Sequence, residues 1–77
     1  MKTYMSVSIY FHNNDFLSGW LYIANNEDIL CSTLINNKTI AMTYLHQMEK
    51  RLHRAADLRI NQHDATICSK EICGYID

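Results

Sequence analysis

Seventy-seven residues, 48% of them hydrophobic and none of them proline, make one domain and leave no room for a second. A formal net charge of −1 excludes a chain-wide electrostatic attraction to nucleic acid or to an anionic membrane, and no apolar run approaches the roughly 20 residues of a membrane span. Three cysteines are an odd number, and Lys2 is followed by TYMSVSIYF, too short and polar for a secretory signal, so a reduced, cytoplasmic setting is expected in place of a disulfide framework.

The first segment, 3–12, reads as a strand. Met5, Val7, Ile9 and Phe11 alternate with Tyr4, Ser6, Ser8, Tyr10 and His12, the period of a half-buried β-strand. Asn13-Asn14-Asp15 marks a turn, because Asn and Asp tolerate left-handed backbone. Asn pairs return at Asn25-Asn26 and Asn36-Asn37 and divide the chain into lengths suited to an antiparallel meander. Over 16–24 the sequence FLSGWLYIA predicts a second strand, with Leu17, Gly19, Leu21 and Ile23 on one face and Phe16, Ser18, Trp20 and Tyr22 on the other. A helix capped by Asp15 competes, but Gly19 would cost it about 1 kcal/mol and the aromatic content favours a strand. Residues 29–35, ILCSTLI, predict a third strand without a clear inward face.

The longest periodic stretch follows. Ile40, Ala41, Tyr44, Leu45, Met48, Leu52, Ala55 and Ala56 recur at the spacing of one helical face. They predict a helix over 39–60, roughly 30 Å long at about 1.5 Å per residue. Asn37 or Thr39 would cap its start and Asn61 its end. The tail, 62–77, is read either as a fourth strand or as a short helical turn from Ser69 to Cys73, packed in both cases through Ile67, Ile72, Tyr75 and Ile76. The expected fold is α+β: an antiparallel meander of three or four strands packed on one long helix.

Four chemistries compete for the surface. His63, Cys68 and Cys73 form H-x4-C-x4-C, whose residue types suit zinc; the short paired spacings usual at zinc sites are missing, and buried cysteine commonly acts as a small hydrophobe. No metal or cofactor is therefore expected. A cysteine activated by His46, His53 or His63 would need a spatial adjacency that sequence does not give. There is also no GxSxG, HExxH or phosphate-binding glycine loop, so a non-enzyme is expected.

The remaining two are contact surfaces. If both strand readings hold, Tyr10, Phe16, Trp20 and Tyr22, with Tyr4, share the sheet face turned from the helix. Trp and Tyr are enriched at binding hot spots, and a large exposed apolar patch signals an interface; the bland alternative is that the tail folds over this face. Stacking on nucleic-acid bases would also need cations for the phosphates, and residues 1–37 carry only Lys2 against Asp15, Glu27 and Asp28. The helix holds Lys50, Arg51, His53 and Arg54, a candidate phosphate grip, set against a solvated face that complements the helix dipole. The expected function is a non-enzymatic protein-binding module, an inhibitor or adaptor; the alternative is a small nucleic-acid-binding regulator using the basic helix face. At this size one core rarely supplies more than about 3–5 kcal/mol, so a homodimer is expected. Abundant Ile and Asn with no Pro fit an AT-rich source such as a phage or mobile element.

Overall fold

The structure, a computed structural model, describes residues 2–77. It has five strands and one helix: β1 (Thr3–His12), β2 (Asp15–Ala24), β3 (Ile29–Ile35), α1 (Lys38–Leu52), β4 (Asp57–Ile60) and β5 (Ile67–Ile76). The strands form one sheet in the order β3-β2-β1-β5-β4, with every neighbouring pair antiparallel. The first strand in the chain is thus the centre of the sheet. Its alternating pattern supplies Val7 and Ile9 to the core, both with no exposed surface.

Asn13 and Asn14 both have positive φ, 50° and 66°, the backbone of the two-residue hairpin turn whose twist matches the flanking strands. One expectation fails just beyond that turn. Tyr10 pairs with Ser18 but Phe11 pairs with Phe16, so the register shifts and Leu17 is the extra residue of a β-bulge. The alternation of 16–24 is therefore broken at its first step. Phe16 lies on the helix side, its ring edge-on to Phe11 at 6.3 Å and packed on the core, while Leu17 is exposed.

Helix α1 packs on β5, β1, β2 and β3, with Lys38 near Phe11 and Cys68 and Leu52 against Gly74. Fifteen residues give it about 22 Å. Asn37 caps it as expected, its Oδ1 accepting from the Ile40 N–H at 3.2 Å. Ala41, Leu45 and Met48 are its buried residues and meet Val7, Ile9, Leu21, Ile35 and Ile72 of the sheet. The helix comes close to the sheet at both glycines: a Cβ at Gly19 would stand 3.4 Å from Ala41 Cβ, and one at Gly74 would stand 3.0 Å from Leu52 Cδ1.

The helix ends eight residues before the expected Ile60. His53 turns left-handed (φ 55°), and the Arg54 N–H donates back to the Glu49 carbonyl at 3.2 Å, a Schellman-type ending. Glu49 holds the reversal with its side chain too, Oε2 accepting from the Ala56 N–H at 2.8 Å. Residues 57–60 then form edge strand β4, and the tail is strand β5, paired with β1 along its whole length. Asn61 is not the helix end; its Oδ1 accepts from the His63 and Asp64 N–H groups in the β4–β5 loop. A histidine in left-handed backbone is under strain that glycine avoids. His53→Gly is expected to raise stability by about 0.5–1 kcal/mol, read as a rise in the thermal midpoint.

Candidate functional site: the open sheet face

One face of the sheet is covered by α1; among the described residues no element covers the other, because the tail joins the sheet and does not fold across it. Cross-strand pairing fixes which side chains share the open face. Trp20 stands between Leu34 of β3 and Ser8 of β1, and Ser8 faces Glu71 of β5. One row away, Tyr22 stands between Ser32 and Ser6, with Cys73 beyond. Tyr10 pairs with Ser18 on one side and Ser69 on the other.

The aromatic content divides into two parts. Tyr4 packs edge-on against Tyr22 (6.1 Å) and Tyr75 (5.3 Å), a cluster drawn from the three central strands. Nearer the β3 edge, Trp20 is 46% exposed and its neighbour Leu34 52%. Between these and the β4 side runs a small-residue trough of Ser6, Ser8 and Cys73, bounded by Asp57, Arg59 and Glu71. Arg59 Nε lies 3.0 Å from Glu71 Oε2. Among the described residues Arg59 is the one cation the strands place on this face, and two carboxylates flank it.

Of the four aromatic residues expected here, the structure brings together Tyr10, Trp20 and Tyr22 and removes Phe16, which the bulge turns to the helix. Three contributors were missed. Leu34 comes from a strand whose inward face the sequence leaves open and is placed by its pairing with Trp20, while Tyr75 could have been found by reading the tail as a strand. The Arg59–Glu71 pair had no sequence signal, since it depends on residues 57–60 leaving the helix.

The Tyr4 hydroxyl is pushed up to about 12, chiefly by its hydrogen bond with the Cys73 side chain and then by burial, so at neutral pH it is an uncharged donor and acceptor. Cys68 and Cys73 are five residues apart on one strand, and therefore on opposite faces: Cys68 pairs with Phe11 on the helix side, Cys73 with Ser6 on the open side. His63 lies apart from both strands, in the β4–β5 loop. Among the described residues no three His, Cys, Asp or Glu side chains converge as metal ligands would.

The basic row is dispersed. Lys50 and Arg51 lie exposed in the last helical turn, where cations complement the helix dipole. His53 forms the left-handed cap, and Arg54 Nη2 donates to the Cys73 carbonyl, which ties its guanidinium to β5. Glu49 stands beside them, with His46 Nδ1 2.8 Å from Oε1. The Ala56 N–H, and after it His46, hold the Glu49 carboxyl below its ordinary value. A lowered folded-state pKa contributes stability that is fully present above the unfolded pKa, near 4.5, and is lost as pH falls through the folded value. Glu49→Gln is expected to lower neutral-pH stability by about 0.5–1 kcal/mol and to flatten the acid limb of a stability–pH curve below about pH 4.5.

No helix among the described residues is long and apolar enough to cross a membrane. No protein-family model, curated protein or solved structure matches the chain.

Proposed function

We propose that the protein is a non-enzymatic binding module that acts as an inhibitor or adaptor, with the open sheet face as its contact surface for another protein. The observation that carries this reading is the company Trp20 keeps. A half-exposed tryptophan sits beside exposed Leu34, near a tyrosine cluster, with serines between and one ion-paired cation at the margin. Aromatic anchors surrounded by small hydrogen-bonding side chains are what protein interfaces concentrate, and an apolar patch of this kind is costly to leave in water. The scarcity of free cations on the face weighs against nucleic acid, whose affinity comes largely from phosphate neutralisation.

The nucleic-acid alternative rests on Lys50 and Arg51, since Arg54 is already engaged. The module acts as a homodimer, since a core of eight buried residues in a domain of this size gains from a second copy. The test is capture of partners from source-cell lysate by tagged protein, with and without nuclease, beside a Trp20→Ala control. A stoichiometric protein that survives nuclease and is lost with Trp20→Ala supports the reading. Partners that vanish with nuclease and persist with Trp20→Ala overturn it in favour of the basic helix end.

A further inference from the structure

The two edges of the sheet are built differently. At one edge, β4 has four residues and carries Asp57 and Arg59, the short, charged form that keeps an unpaired strand from recruiting another. At the other, β3 has seven residues, ILCSTLI, with no charge and no proline. Ile29, Leu30 and Leu34 on it are each more than half exposed. An edge so long and uncharged leaves a row of backbone N–H and C=O groups open to another strand.

The sequence of β3 says which strand. Read about Ser32, ILCSTLI is nearly the same in both directions. A two-fold axis through Ser32 sets Ser32 against its own copy, Cys31 against Thr33, Leu30 against Leu34, and Ile29 against Ile35. An isologous dimer requires this kind of self-complementarity, and two antiparallel strands supply it when their side chains match from end to end. The register shift against β2 leaves Leu30 without a partner there, so Cys31, Ser32 and Thr33 form the regular centre of this two-fold pairing and Leu30 and Leu34 flank it. Charge selects the direction. Glu27 and Asp28 immediately precede the strand and Lys38 follows it, so antiparallel pairing brings the acidic end of each copy to the Lys38 end of the other. Parallel pairing would set like charges together.

We propose that two copies of this chain join through antiparallel pairing of their β3 edges about Ser32, forming one continuous ten-stranded sheet. This deepens the homodimer part of the proposed function and rests on it. It leaves the aromatic face free for a foreign partner and doubles that face across the two-fold axis.

Ser32 is exposed on the open face, so a long charged side chain there is tolerated in the single chain yet meets its own copy at the axis, where like charges repel. The experiment measures mass by sedimentation across a concentration series for the wild type, Ser32→Lys, Ser32→Glu, an equimolar mixture of the two variants, and Trp20→Ala. Far-UV circular dichroism checks that each variant keeps the helix. Wild type is expected at twice the 9.0 kDa chain mass. Each Ser32 variant alone should dissociate about five-fold or more readily. The mixture should recover the dimer, because lysine then faces glutamate, and Trp20→Ala should remain dimeric. If the Ser32 variants dimerise like the wild type, or their mixture does no better than either alone, the edge pairing is wrong while the dimer stands. A wild type that stays at 9.0 kDa throughout overturns the dimer and the edge pairing together.

Discussion

Leu45→Ala is expected to unfold much of the protein at room temperature. Leu45 is 1% exposed, at the middle of α1, and packs into the core with Val7, Ile9, Leu21 and Ile72. Removing a buried leucine side chain costs about 2–5 kcal/mol, through lost transfer free energy and the cavity left behind. The whole core of so small a domain supplies about 3–5 kcal/mol, so the two quantities are of one size. A thermal midpoint followed by circular dichroism should fall by at least 8 °C, taking about 4–8 °C per kcal/mol at this length. Leu17→Ala is the control. The bulge exposes that leucine, so its loss should stay within about 0.5 kcal/mol. A Leu17 effect as large as that of Leu45 would mean that the bulge lies elsewhere and that Leu17 points inward.

Those two leucines also show what the sequence made legible. Leu45 belongs to a stripe of three- and four-residue spacings that only a helix satisfies, and Val7 and Ile9 to an alternation that only a strand satisfies; both were readable because the period repeats several times. Leu17 was not readable. Before the bulge and after it the strand alternates normally, and nothing local says that one residue is left out of the pairing; only the alignment of β2 against β1 decides it. The helix end was hidden for a related reason. Ala55 and Ala56 extend the helical stripe, yet the next position in phase is Arg59, while Leu58 and Ile60 fall two apart, a strand period. That break was the available signal. It is short, and it is resolved only by the pairing of residues 57–60 with a tail strand that is itself ambiguous in isolation. Local periodicity thus carried β1, β2, β3 and most of α1, whereas tertiary pairing carried β4, β5 and the placement of Phe16.

The open face inherits that division. Tyr10, Trp20 and Tyr22 follow from strand parity, but their neighbours Leu34, Tyr75 and Glu71 come from strands whose faces the sequence leaves undecided. The neighbours matter because a hot-spot residue takes its energy from the ring of contacts that excludes water around it. The face is also cheap to mutate, since Trp20 contributes nothing to the buried cluster under the helix.

Trp20→Ala is therefore expected to separate binding from folding. Affinity for the captured protein should fall by about 30-fold or more, the 2 kcal/mol of a hot-spot aromatic, with the helical circular-dichroism signal and the dimer mass unchanged. Replacing Lys50 and Arg51 by alanine should cost little, and raising salt from 50 to 200 mM should alter wild-type affinity far less than the 10³–10⁵-fold loss of a complex resting on several phosphate contacts. The two readings thus give opposite patterns. An aromatic protein interface loses affinity with Trp20 and is indifferent to salt; a basic nucleic-acid grip keeps its affinity without Trp20 and loses it with Lys50, Arg51 or salt. If Trp20→Ala binds as tightly as the wild type, the open face is not the contact surface, and the exposed cations of the last helical turn become the surface to test.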